Sequence, residues 1–420
     1  MKPALLKTLA FVLFLCVLLV FVKYVVYPSR NTLEEPIGNR RPTPTDGPLA
    51  LGPDGYYWGV TEDSFEMPGY LYKLKADGSG WKLVHTFRTN ASPPVGMSPL
   101  GGLVSDGVDS LLGVTCGSGK ADDDGTLYKV NATTGVLTTL IRFSGQTGPH
   151  LERFPIAALA PAGSGVFWGS TVLGGTHDTG TVFKFHPATN MLTTVAEFPA
   201  SPDPDGGSLA PHDALVSDGN GSWWGVNYSG GAQHYGTVFK VDSITGELTT
   251  VVEFTEGTGG QHPMGSLVSD GQGFLWGTCA GGVAAPGTLF KVNATTGALT
   301  TVLEFTGKGG SNRGMNPETA LVSDGHGFLW GCTTRGGRDD AGTLFKVDIA
   351  SGVLTTLVEF GIQQATHKGY RPEAPLVSDG HGAFLGTTMQ GGKKNAGTIF
   401  KIDIATGVLT TLVELGKVGP

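Results

Sequence analysis

The sequence predicts an all-β chain: a seven-bladed β-propeller of about 55-residue, four-stranded repeats, preceded by an N-terminal transmembrane helix. Three observations predict it. The string "GTLFK", or a near copy, starts at Gly69, Gly125, Gly180, Gly236, Gly287, Gly342 and Gly397. A second glycine recurs in step at Gly59, Gly113, Gly169, Gly225, Gly277, Gly331 and Gly386. It follows Trp58, Trp168, Trp224, Trp276 and Trp330 in five copies and Leu112 and Leu385 in two. "LVSDG" begins at Leu103, Leu215, Leu267, Leu321 and Leu376. A proline stands four residues before the corresponding leucine at Pro99, Pro155, Pro211, Pro263, Pro317 and Pro372.

Each repeat reads as two hairpins. Between Ala320 and Phe360, "ALVSD" and "FLWGCTT" flank a Gly-rich turn, and "GTLFKVD" and "VLTTLVEF" flank another. One such unit has too little core to fold alone. An open stack would need polar caps at both ends, and no distinct cap is visible. First and last copies are complete. A ring is therefore expected, closed by packing blade one on blade seven without a shared strand.

In chain order, residues 1–27 read as a signal-anchor or transmembrane segment. Lys2 and Lys7 precede the apolar run Thr8 to Val22, and Thr8 to Tyr27 is long enough to span if Lys23 snorkels. No small-residue cleavage site follows, which favours an uncleaved anchor over a secreted product. Lys2 and Lys7 argue for an inside amino terminus, and Lys23 and Arg30 pull against it. Residues 28–47 are Pro- and Thr-rich and read as a stalk. The propeller occupies 48–415, with blades at about 48–87, 99–143, 155–198, 211–254, 263–305, 317–360 and 372–415. The expected location is single-pass membrane-anchored with the propeller exported, to the cell surface or periplasm. Sequons stand at Asn90, Asn131, Asn220, Asn227 and Asn293, three of them in the repeat's own turns.

The 67 glycines fit many tight turns rather than disorder, because regular apolar strands separate them. A net charge of −8 excludes non-specific nucleic-acid binding, which needs a basic footprint. The four cysteines (Cys16, Cys116, Cys279 and Cys332) lack zinc spacing. Buried free thiols are expected, with a Cys279–Cys332 bridge between neighbouring blades as the alternative.

Two connections per blade are short and uniform: the "SDGxG" turn and the "DxxTG" turn. The other two are long and variable, and in an up-and-down blade they share one face. Loops on a rigid scaffold carry function, so that face is the candidate binding face. Its candidate residues are His150, His177, Asp178, His212, Asp213, His234, Tyr235, His262, Arg313, Arg335, His367 and Arg371. Convergence of His177, His212, Asp213 and His234 would give a nitrogen/oxygen metal site or an acid–base pair. The plainer reading is a solvated polar rim. Asp203 and Asp205 sit among Pro and Gly and read as a turn. Arg313, Arg335, Arg338, His367, Lys368, Arg371, Lys393 and Lys394 give blades six and seven a basic face, or part of a mixed charged rim. Lone aspartates of the "SDGxG" turns are too few for calcium. No catalytic residue stands out from the pattern. No cofactor is called for, and a divalent metal enters only with the histidine reading.

The repeat resembles the bacterial GloVer tandem repeat, named for Gloeobacter and Verrucomicrobium. Phe305, Gly307, Pro317, Leu321, Asp324 to Gly327, Leu329 to Gly331, Thr333, Thr334, Gly336, Gly337 and Gly342 to Lys346 carry the resemblance. It covers about residues 48 to 415. Blade one departs most, and blade three lacks the Asp of the first turn. The resemblance implies a surface-exposed or secreted propeller and assigns no catalytic residue. Three readings follow: a binding module for a protein or glycan; a propeller lyase or hydrolase using His and Asp of blades three to five; and a structural envelope protein. The fold does not choose among them.

Overall fold

The computed structural model describes residues 47–61, 69–87, 96–117, 124–145, 150–200, 211, 213–256, 260–281, 286–361 and 369–415. They form seven four-stranded antiparallel sheets, each in sequence order. Blade one comprises Ala50–Leu51, Tyr57–Thr61, Tyr70–Leu74 and Lys82–Thr86. Blade six comprises Val322–Ser323, Phe328–Thr333, Thr343–Asp348 and Leu354–Glu359. Blade seven comprises Val377–Ser378, Ala383–Thr388, Thr398–Asp403 and Leu409–Glu414. The second and third strands are almost wholly buried and the fourth is half-exposed, as an outer edge must be. In every blade the third and fourth strands slip register at the same place, such as Leu344/Phe345. A bulge there adds the twist that a stacked blade needs.

The repeated residues have physical reasons that cross blade boundaries. The second-strand glycine makes room for an aromatic ring on the third strand. A Cβ at Gly331 would lie 2.8 Å from the Phe345 ring and 2.7 Å from Leu321. Gly113 faces Tyr128 and Gly169 faces Phe183 in the same way. Each third-strand ring then meets an aromatic residue that ends the preceding blade. Phe87–Tyr128, Phe143–Phe183, Phe198–Phe239, Phe254–Phe290, Phe305–Phe345 and Phe360–Phe400 have centroids 5.1 to 6.0 Å apart. Such pairs add about 0.5–1.5 kcal/mol beyond the burial of their area. The first glycine of "GTLFK" is also a junction. Its carbonyl accepts the N–H of the closing aromatic (Phe360 to Gly342, 2.9 Å). A Cβ on Gly342 would lie 2.7 Å from Pro372 of the next blade.

The ring closes without a shared strand. Leu49, Tyr57, Tyr72 and Leu74 of blade one pack with Leu385 and Ile399 of blade seven. Tyr57 donates its hydroxyl to the Ser378 carbonyl at 3.3 Å. Leu415 takes the place that phenylalanine holds at the other junctions, so this seam lacks the aromatic pair.

Cys279 and Cys332 are free, buried thiols, not a bridge. Burial pushes both thiols well above their ordinary value. The expected transmembrane helix and most of the expected stalk fall in residues 1–46, outside the described residues. Among the described residues no helix is long and apolar enough to cross a membrane.

Candidate binding face

One face of the ring is made of short turns, and their polar groups are used up internally. In blade six, Asp324 Oδ1 accepts the N–H groups of His326 (2.7 Å) and Phe328 (3.2 Å). Its Oδ2 accepts the Trp330 indole N–H at 3.0 Å, and Lys346 lies over that indole at 5.6 Å. Asp218–Trp224–Lys240 and Asp270–Trp276–Lys291 repeat the arrangement. Where Leu385 replaces Trp in blade seven, Lys401 reaches Asp379 directly at 2.7 Å. These aspartates cap turns and hold an indole.

The opposite face carries both long connections of each blade, and they are tied together. The chain entering a blade pairs with the chain leaving its second strand: Glu152–Arg153 with Leu173–Gly174, and Gly369–Tyr370 with Gln390–Gly391. Isolated bridges do the same at Met97–Gly117 and Met315–Arg335. The residue before each proline has a positive φ: Ser98 (54°), Phe154 (54°), His262 (57°), Asn316 (55°) and Arg371 (58°). The blade-four counterpart, Ala210, lies outside the described residues. A non-glycine residue before proline disfavours this region, at a cost of order 1–3 kcal/mol. Two backbone hydrogen bonds hold it there. The N–H groups of Phe154, His262, Asn316 and Arg371 donate to Asp124, Tyr235, Pro286 and Ala341 of the preceding blade at 2.7 to 2.9 Å. Their carbonyls accept N–H groups from Val172, Ala280, Thr334 and Met389 of their own blade. The result is a collar of fixed backbone carrying a different side chain at each blade.

The structure separates the sequence-predicted residues into supports and displayed groups. Asp178 is a support: with φ 54° it accepts the Gly174 N–H at 2.9 Å and is clamped by Arg153, which also binds Asp124. Asp340 repeats this with Gly336 and Arg335 (2.8 Å). Asn395 repeats it with Gly391 and the Tyr370 hydroxyl. Asp213 accepts the N–H and hydroxyl of Ser266, tying blade four to blade five. His150 exchanges backbone and hydroxyl bonds with Ser144. Arg313 pairs with Glu359, and Arg371 with Glu373 at 2.9 Å. The expected basic face of blades six and seven is thus largely neutralised at its arginines. Burial alone would raise the Glu359 carboxyl, but the Arg338 N–H and the Arg313 guanidinium outweigh it and hold it below the usual range. Asp340 is lowered in the same way, the Gly336 N–H and Arg335 overcoming burial.

His177 and His234 are exposed, and Tyr235 and His262 are half-buried. His177 borders a shallow depression with Thr176, Glu197, Phe198 and Leu248. His212 and His367 lie outside the described residues, as do Asp203 and Asp205. Among the described residues, no three His, Cys, Asp or Glu side chains gather as a metal site requires. The imagined convergence of His177, Asp213 and His234 therefore finds no support there, because Asp213 is engaged by Ser266. Sequence reasoning missed Tyr228 and the collar positions Ser98, Phe154 and Asn316. The collar positions did carry a signal: the residue before a recurring proline changes while the proline does not.

A ring of near-identical blades with one uniform and one variable face defines a repeat-built β-propeller. The chain belongs to the Gloeobacter/Verrucomicrobia repeat family, which it matches over residues 149–313 and 280–419. No curated protein matches it in sequence. Among solved structures it is similar to a puromycin hydrolase (15% identity, TM-score 0.57), covering 91% of this chain and 54% of that one. It is also similar to an oligogalacturonate lyase from Vibrio parahaemolyticus (13% identity, TM-score 0.55), covering 89% of this chain and 93% of that one. A puromycin-hydrolyzing peptidase of Mycobacterium tuberculosis (12% identity, TM-score 0.54) is covered over 54% of its length, against 91% of this chain. The chain thus spans about half the length of both puromycin-cleaving proteins. At these identities the likeness is one of fold.

Proposed function

We propose that this chain is a membrane-anchored, exported binding module that takes a protein or glycan through its long-loop face. The observation that carries this reading is the collar. Five described blades hold Ser98, Phe154, His262, Asn316 and Arg371 at one strained backbone position. Asn316 is buried and the other four are half-buried, and strain retained at a repeated position under varied side chains fits a surface that presents different groups. The apolar stretch Thr8 to Tyr27 supports the anchor and the segment 28–47 the stalk.

Two experiments test the reading. Deleting residues 1–27 should move the chain from the membrane to the soluble fraction. An unchanged distribution would overturn the anchor. Immobilised full chain should retain a protein or polysaccharide from envelope fractions of the source cell. Failure to retain either would favour a structural envelope role. The lyase or hydrolase reading through His177, His212 and His234 predicts a stoichiometric metal surviving dialysis and lost in His177→Ala. Elemental analysis, with thermal melts in chelator, decides that point.

A further inference from the structure

We propose that the long-loop face of blades four and five holds a stacking site for a neutral hexopyranose glycan, built from Tyr228, Tyr235 and His262. The proposal rests on the binding-module reading and names its ligand class. Three observations carry it.

The first is an aromatic platform. Tyr228 and His262 stack with centroids 4.5 Å apart and an interplanar angle of 21°. Tyr235 meets His262 edge-on at 6.0 Å and 88°. All three rings are half-buried, and Tyr235 packs against a core that includes buried Val226, Val238 and Cys279. Half-exposed aromatic surface suits a partner with one apolar and one polar side. The C–H face of a pyranose is such a partner, with its hydroxyls around the edge.

The second is the state of His262. Its backbone is pinned by N–H donation to the Tyr235 carbonyl (2.7 Å) and by acceptance from Ala280 (3.1 Å). Its Nδ1 lies 3.0 Å from the Tyr228 carbonyl oxygen, which can only accept. Nδ1 therefore carries a hydrogen, so in the uncharged imidazole it is Nε2 that offers the lone pair. A fixed acceptor beside an aromatic face is what orients a sugar hydroxyl.

The third is the lack of charged residues in the two loop segments themselves. Residues 226–236 and 260–266 contain no Asp, Glu, Lys or Arg. The corresponding loops of blade six carry Arg313, Glu318, Arg335, Arg338, Asp339 and Asp340. An acidic sugar would find no cation within these two segments, and the carboxylates that touch them are held by protein donors, Glu253 by the Ala232 N–H and Asp213 by Ser266. Half-buried Gln261 and exposed Gln233, whose Oε1 also accepts the Glu256 N–H at 2.9 Å, supply amide hydrogen-bonding groups instead. Aromatic surface with a few polar groups placed around it is the usual make-up of a small-ligand site.

The test uses the full chain in detergent, titrated with cellohexaose, laminarihexaose and chitohexaose. Oligogalacturonate and an envelope protein fraction are run in parallel. Binding of at least one neutral oligosaccharide is expected. Tyr235→Ala should weaken it tenfold or more, and Tyr235→Phe should keep it within about threefold. His262→Asn, which tolerates the positive φ, should weaken it severalfold. Melting temperatures of the variants show whether each is folded. If the chain retains oligogalacturonate or a protein with undiminished affinity in folded Tyr235→Ala, and takes no neutral oligosaccharide, this assignment is overturned while the binding-module reading stands. If nothing is retained, both fall.

Discussion

The two faces of the ring are made from the same repeats and spend their polar residues differently. On the short-turn face an aspartate, a tryptophan and a lysine satisfy one another inside blades one, four, five and six. Asp324 alone accepts two backbone N–H groups and an indole N–H. On the long-loop face backbone shares that work, at positions such as Arg371 and His262, with a few capping side chains such as Asp178 and Asp340, and the collar side chains are left to vary. The contrast shows how a repeat protein separates support from display. The turn face repeats because its side chains are the structure. The loop face varies because its backbone is.

Breaking the frame should have the largest effect. Phe345 is fully buried against Phe305 and beneath Gly331. Phe345→Ala should lower stability by about 3–5 kcal/mol in denaturant melts. A change under about 1 kcal/mol would mean that the blade junctions do not carry the fold. Next comes the turn. Asp324→Ala removes the caps of its own hairpin and the Trp330 acceptor, at a cost of about 1–3 kcal/mol. The same measurement on a loop-face exposed residue should give far less.

Much of this was legible in the sequence, and the reasons are specific. The glycines recur in all seven units, the prolines in six and the tryptophans in five, and they reveal the seven sheets because each answers a steric demand of the blade. Gly331 is there for the Phe345 ring, and Gly342 for Pro372. Spacing also showed which connections share a face. It did not show that Asp178 and Asp340 cap loops, because that depends on a positive φ and on an arginine from another segment. Nor did it show that Arg313 and Arg335 are paired. Arg313 meets Glu359 across 46 positions of chain, and a count of local charges cannot see that. The Tyr228–His262 stack was missed for the same reason, being a contact between two blades.

Smaller effects sharpen the contrast on the loop face. Asp340 and Glu359 are held below their ordinary values, so their folded forms favour the carboxylate. That stability is present above the unfolded carboxyl values of roughly pH 4 and is lost as pH falls through the lower, folded values. Melting temperature should therefore drop in acid, and an Asp340→Asn, Glu359→Gln double variant should show a flatter acid limb. An identical limb would remove these two carboxylates from the account. Smallest of all is His177→Ala. His177 is exposed, and its replacement should leave stability within about 0.5 kcal/mol. A sharply lower melting temperature would make it a structural residue.

The most direct test of the division between the faces is amide hydrogen exchange of the full chain, with and without the envelope fraction or oligosaccharide it retains. The account predicts added protection at 228–235 and 260–264, and in other long-loop segments such as 313–318 and 369–374. Exchange at the short turns 218–222, 270–274 and 324–328 should not change. Protection confined to those turns, with the long-loop segments unaffected, would contradict it.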